Sequence, residues 1–515
     1  MVSSEYLSYN PLNINLLFVE REENHPSFTM KKITTLIFLL SSLLSFAQKT
    51  STITLTTARP EQAIVSLVLE DVHFHPNLGI GLADTRLEPL AMINFQEKTN
   101  ERINAALSEP KIMRLQYSGG GVNKTWMLFV QPGDDLTATF SPGANVAFSG
   151  KSAPYQDFLK TYFLENQYQY LPVFGYKPSQ IDNKSVAQQS DSLQKIRQNA
   201  YAAFKTASAP VPAFEAYVNA TTTTEPFVIH RLLQEKIMRR NRARKLEPAQ
   251  QKELEDLTLN NFKVLPDEAL LSQSYRDELR NWVLIPTTRK FPLDSATRYE
   301  LSPKAITDVY NFSKEKLQSH PKQQEYLLTY WLNYAATAIP TIETSQSLLA
   351  DYKAKYPKSE YTDYFTKLLA TKSKLTSGSA APDFTLLDRD SAAVSLKQLA
   401  GKPTVMVFAF NIGAHEPAMK ALETKYADQV NFAYITMISG MPFGSWKPYT
   451  QARNGVKHLW ASEDAAESLE QNYAVDIRYP FVVLDASGKI IDRWIPQEFP
   501  NNKTLEKDIM KAIGK

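Results

Sequence analysis

Cysteine is absent from all 515 residues. No disulfide, cysteine-ligated zinc site, iron–sulfur cluster or thiol nucleophile can therefore form within the chain. The residue that would carry a bacterial lipoprotein anchor is missing as well. Glycine is scarce: 17 in 515 residues is less than half of the roughly 7% usual share. With many Gln, Lys, Leu and Ala, this points to substantial helix. Net charge is almost absent, +3 with histidine neutral, which excludes the strongly basic balance suited to nucleic acid or an anionic membrane surface. The chemical signatures of common enzyme classes are also missing. There is no His-Glu-x-x-His zinc motif, no Gly-x-Ser-x-Gly elbow and no dinucleotide fingerprint. Gly119-Gly120-Gly121 lacks the following helix and Lys-Ser/Thr of a phosphate loop.

What is present suits several aromatic-rich cores: 25 Tyr, 26 Phe and 43% hydrophobic residues. The length implies roughly three domains of about 150 residues each. The N-terminus carries an address. Met30-Lys31-Lys32 is a short basic start, Ile33–Phe46 is apolar, and Ser45-Phe46-Ala47 offers small residues at the two positions a signal peptidase reads, before Gln48. Residues 30–47 are expected to be a secretory signal peptide. At roughly 14 residues the apolar run is short of the ~20 needed for a span, so no integral membrane segment is expected after cleavage. Residues 1–29 fit no signal, and Met30 is expected to be the true start, with 1–29 a mis-assigned upstream extension.

Residues 50–151 read as an all-β, antiparallel sandwich-like domain. Ser51–Thr56, Ile64–Leu69, Met113–Tyr117 and Trp126–Val130 alternate with period two, and glycine- and proline-containing turns separate them. Residues 152–376 change to a helical period, giving an all-α middle domain. The helices are expected at Ala153–Tyr170, Ser185–Ala207, Pro226–Lys245, Ala249–Phe262, Ser274–Val283, Pro303–Ser319, Lys322–Ala336, Ser345–Tyr356 and Tyr361–Lys374, with Ser359 as an N-cap of the last. Lys374–Ala381 is a linker by composition. From 377 to 515 strands and helices alternate, which implies an α/β sheet covered on both sides. Pro403–Phe410 is its continuous apolar strand, His415–Tyr426 a helix, Val430–Ile438 a strand, and Trp446–Asn454 and Glu463–Asn472 helices. Phe481–Asp485 and Lys489–Trp494 form a hairpin, and Asn502–Ile513 closes the chain as a helix.

This last stretch resembles the thioredoxin superfamily, in its periplasmic TlpA-like branch. The residues that carry the resemblance are Ala381-Pro382-Asp383-Phe384-Thr385-Leu386, Val394–Pro403, Thr404–Phe410, Ala418–Leu422, and Tyr473–Asp485 followed by Gly488-Lys489-Ile490. The order of domains is similar to that of exported multidomain proteins of the Bacteroidetes. The resemblance implies a thioredoxin fold, an exported, periplasmic or envelope-associated location, and a cis Tyr479–Pro480 bond shaping a groove for extended peptide. The family's redox pair falls on Ile412 and His415, within Ile412-Gly413-Ala414-His415. Thiol–disulfide exchange needs a thiolate and a resolving thiol, and the chain has neither, so this activity is excluded.

The candidate groove comprises Asn411, His415, Glu416, Trp446, Tyr479 and Pro480. His415 would stand at a helix start, where the dipole favours a neutral imidazole; it reads as a cap residue, a ligand contact or a general base. His73-Phe74-His75 puts two histidines on one strand face but lacks a third ligand, so no metal site is expected. Arg239–Lys245 is a basic helix end answered by Glu247, Glu253, Glu255 and Asp256. No cofactor is expected. The leading expectation is an exported, redox-inactive module that binds an unidentified exported protein or peptide. The alternatives are acid–base chemistry by His415 and Glu416, or a purely structural envelope protein.

Overall fold

The computed structural model describes residues 49–77, 81–162, 183–240, 247–293, 301–410, 416–438, 441–450, 453, 455–498 and 502–515. The signal segment and everything before it lie outside the described residues, as do the side chains of Arg239–Lys245.

The first region is built of strands: β1 (Lys49–Thr57), β2 (Ala63–Asp71), β3 (His75–Asn77), β4 (Gly81–Ala83), β5 (Arg86–Asn94), β6 (Asn100–Leu107), β7 (Lys111–Gly119), β8 (Val122–Val130), β9 (Asp135–Ser141) and β10 (Asn145–Gly150). Two four-stranded sheets, β10-β9-β1-β6 and β5-β2-β7-β8, share one core. Alternation drives the packing: Ile53 and Leu55 from β1 and Val65 and Leu67 from β2 are fully buried against Trp126 and Phe140. One expectation is corrected. The sandwich is not wholly antiparallel, because β1 and β9 run parallel. The turn before β9 ties it there: Thr52 donates to the Asp134 carbonyl at 2.7 Å, and buried Ser51 donates to the Gln131 carbonyl at 2.8 Å. Gly119-Gly120-Gly121 is the tight turn of the β7–β8 hairpin. Gly120 and Gly121 both have positive φ, 59° and 76°, as a two-residue loop matching strand twist requires.

The second region is helical: α1 (Ala153–Tyr162), α2 (Asn183–Ser208), α3 (Pro212–Arg240), α4 (Pro248–Asn261), α5 (Gln273–Lys290), α6 (Pro303–Lys316), α7 (Pro321–Ala338), α8 (Glu343–Lys355) and α9 (Tyr361–Lys374). Proline opens α4, α6 and α7, where its missing N–H costs nothing. Successive helices α6 to α9 pack on one another around Tyr310, Leu327, Trp331 and Phe365. Two boundaries differ from the expectation because helices run through prolines. In α3 the carbonyl that Pro226 cannot serve, that of Thr222, accepts instead from Gln194 of α2 at 3.1 Å. Likewise α5 continues past Val283 through Pro286. Ser359 does not cap α9: Glu360 occupies that position, and the Ser359 hydroxyl meets the Tyr352 hydroxyl at 2.9 Å.

The third region contains β11 (Thr385–Asp388), β12 (Ala393–Ser395), β13 (Thr404–Ala409), α10 (Glu416–Tyr426), β14 (Asn431–Thr436), α11 (Phe443–Trp446), β15 (Val456–Trp460), α12 (Glu463–Tyr473), β16 (Phe481–Leu484), β17 (Ile490–Ile495) and α13 (Lys503–Ala512). The sheet order is β12-β11-β15-β14-β13-β16-β17. β15, β14 and β13 are parallel, and β16 and β17 are antiparallel to what they pair with. All six residues of β13 are buried, since each face carries its own core. Met406 and Phe408 pack toward Leu469 and Tyr473, while Val405 and Val407 pack toward Leu422, Leu505 and Ile509. The helix expected over Trp446–Asn454 ends early, because Pro448 breaks it, and β15 follows. The compositional linker is pinned: Gly378 donates to the Ile490 carbonyl at 2.7 Å, Ala381 donates to that of Gly488 at 3.1 Å, and Leu375 is buried in the third region's core. Among the described residues, no helix is long and apolar enough to cross a membrane.

Candidate functional site

β13 runs toward Asn411, and α10 begins at Glu416. Asn411, Ile412, Gly413, Ala414 and His415 lie outside the described residues, as does the side chain of Glu416. The Phe408 amide donates to the Pro480 carbonyl at 2.8 Å, so the fold brings Pro480 beside the strand leading to Asn411. Pro480 is buried.

The other two groove candidates face inward. Tyr479 is 8% exposed, and its hydroxyl donates to the Ala338 carbonyl at the end of α7, 2.6 Å away. Trp446 is fully buried, and its indole N–H donates to Thr436 Oγ1 at 2.7 Å. Each side chain is therefore committed to a bond inside the fold. His73 Nδ1, from the histidine pair, lies 3.1 Å from Glu360 Oε1 and 3.2 Å from the Tyr361 hydroxyl.

Two charged residues that the sequence pattern did not single out hold this part of the molecule together. Arg493 on β17 is fully buried. Its guanidinium donates to the carbonyls of Tyr473, Tyr479 and Ala474 at 2.8, 2.7 and 3.1 Å, and so fastens the segment that precedes β16. The signal is an arginine in a short strand whose other residues, apart from Asp492, are apolar, Ile490–Ile495; an interior charge requires partners.

Lys372 on α9 is the second. Its ammonium donates to the carbonyls of Ala336 and Ile339 at 2.8 Å each, and lies 4.3 Å from the centre of the Trp494 ring. With Tyr479 it satisfies three carbonyls at the end of α7, groups a helix terminus leaves without partners. Burial, with the nearby Arg493 charge, pulls its pKa down to about 7, against the opposing pull of Asp476. A neutral amine still donates twice.

The unfolded lysine titrates near 10.4. Between about 7 and that value the unfolded chain therefore holds the extra proton, and folding becomes more favourable as pH rises. Urea midpoints should accordingly increase from neutral pH toward mildly alkaline pH. Lys372→Met should flatten that slope, with a cost on the order of 1–3 kcal/mol for the bereft carbonyls. An unchanged slope in the variant would refute the assignment.

No family model matches the chain, and no curated protein matches it significantly. Among solved structures, it is similar to the thioredoxin domain of a thiol-disulfide oxidoreductase from Bacteroides vulgatus, at 20% identity and a TM-score of 0.22, covering 26% of this chain and 99% of that one. It is also similar to Sco1 from yeast, at 20% identity and a TM-score of 0.23, covering 26% of this chain and 94% of that one.

Proposed function

We propose that this is an exported, redox-inactive thioredoxin-like protein of the TlpA-like type, which works by binding a protein or peptide rather than by carrying electrons. The observation that carries the reading is chemical: a region of thioredoxin-like sequence sits in a chain with no cysteine. The sheet supports it, since three parallel strands, β15-β14-β13, continue into the antiparallel pair β16-β17 with helices on both faces. In this reading 50–151, 152–376 and 377–515 are the three domains, and 30–47 directs export to the periplasm or envelope. Ile412-Gly413-Ala414-His415 replaces the redox pair. Asn411, His415 and Glu416 meet the partner, while Tyr479, Pro480 and Trp446 support that surface.

A second reading, a structural envelope protein, draws support from one observation. The hydroxyl of Tyr479 bonds the third region to the end of α7, and Lys372 of α9, which caps the same helix end, lies 4.3 Å from the ring centre of Trp494 on β17. A photo-crosslinker replacing His415 in the exported protein separates the two. The binding reading expects a discrete adduct that Asn411→Arg abolishes. Adducts formed only from positions on the strand or helical regions would overturn it in favour of the structural reading.

A further inference from the structure

We propose that the cleft between the strand region and the helices is a binding site for a small organic ammonium ion carrying one apolar group. The cleft has a volume of about 190 Å³ and lies where the segment after β2 and the β6–β7 turn meet α7, α9 and the turn at Asp267–Leu271. Ligand pockets for drug-sized molecules run to roughly 300–1,000 Å³, so this one suits a single ring or branched alkyl group with a charged head.

Its apolar wall includes three aromatic side chains, Phe74, Tyr326 and Tyr361. Phe74 stands 5.4 Å from Tyr326 and 5.8 Å from Tyr361, ring centre to ring centre. Both tyrosines are tethered through their hydroxyls. That of Tyr326 donates to Asp84 at 2.9 Å, and that of Tyr361 accepts from the Phe74 amide at 3.3 Å. The rings are thus held in place before any ligand arrives, which lowers the cost of binding. Aromatic faces attract organic cations through their quadrupoles.

The charge around the cleft selects the same sign. Four carboxylates, those of Glu109, Asp267, Glu268 and Glu325, line it against two lysines. Both lysines are already engaged: Lys111 with Asp71 at 2.5 Å and Glu109 at 2.9 Å, Lys322 with Glu109 at 3.0 Å. Asp267, Glu268 and Glu325 stand on the helical side of the cleft, where none of the described ion pairs joins them to a lysine, and Glu325 Oε1 accepts from the Tyr352 hydroxyl at 3.3 Å. Asp267 accepts backbone N–H bonds at the start of α7, from Lys322 at 3.2 Å and Gln323 at 3.3 Å. Glu268 is exposed at the mouth.

Calorimetric titration of the full chain with benzyltrimethylammonium chloride tests this, with benzenesulfonate as the anion of matched ring. Saturable binding of the cation alone is expected. Glu268→Gln, at an exposed position, should weaken it roughly two- to fivefold, and Leu271→Trp, which fills the cleft, should abolish it while circular dichroism stays native. Equal binding of the sulfonate overturns the proposal. So does cation binding that neither substitution alters, or an absence of saturable heat from the cation.

Discussion

Replacing Asp84 with alanine should loosen the strand region from the helices behind it, at a cost of about 3–5 kcal/mol. The carboxylate accepts from Arg276 Nε at 3.3 Å, Arg280 Nη1 at 2.6 Å and the Tyr326 hydroxyl at 2.9 Å. Neighbouring Thr85 accepts from Arg276 Nη2 at 2.7 Å. The Arg276 side chain is 2% exposed, and that of Asp84 is 19% exposed. Burial alone would raise the Asp84 pKa, but the two guanidinium groups reverse this and hold it well below the usual carboxylate range. Its stabilising contribution is therefore complete at neutral pH and is lost as pH falls below about 4. Taking the carboxylate away leaves two largely buried cations without their common partner. Scanning calorimetry should then show one transition splitting into two, as the strand and helical regions lose their coupling. A single transition within about 1 kcal/mol of the parent would show that the clamp contributes little.

Arg493→Met should damage the third region by a comparable amount, about 3–5 kcal/mol. Methionine fills the space of the arginine stem, so what is lost is the guanidinium, with its three donated bonds and its placement over the Phe408 and Trp494 rings. Without them the carbonyls of Tyr473, Ala474 and Tyr479 are buried and unmatched. The backbone ahead of Pro480 then loses its fastening. The expected signature is a lower urea midpoint together with a change in near-ultraviolet dichroism from Tyr479 and Trp494, whose rings lie 6.1 Å apart. Retention of both signals would mean that this segment is held by the sheet alone.

The division of the chain into strand, helical and mixed regions was legible because its signals are local. Alternation marks β1 and β2, and a continuous apolar run marks β13, buried throughout. What escaped depends on partners distant in sequence. Pro226 reads as a helix start, yet α3 passes through it, and the carbonyl left free four residues earlier, that of Thr222, accepts from Gln194 of α2. Val456-Lys457-His458-Leu459-Trp460 is too short and polar to declare itself, yet β14 on one side and β11 on the other make it a strand. Lys374–Ala381 has a linker's composition, and its order comes from backbone bonds to the hairpin.

The candidate site follows the same division. Motif order and spacing nominate the segments around Asn411 and Pro480. They do not reveal which way Tyr479 and Trp446 face, because orientation is fixed by Ala338 and Thr436, far away or on another element. Asp84, Lys372 and Arg493 were invisible for a related reason: a lone charge in a sequence gains meaning only from the groups folded around it.

The central claim concerns sulfur chemistry, and the reduction of insulin disulfides by dithiothreitol reports on it directly. The purified parent chain should give the same turbidity trace as buffer, because it has no thiol to exchange. Ile412→Cys with His415→Cys should accelerate it if those positions occupy the family's redox site. Turnover by the parent above the protein-free control would contradict the account.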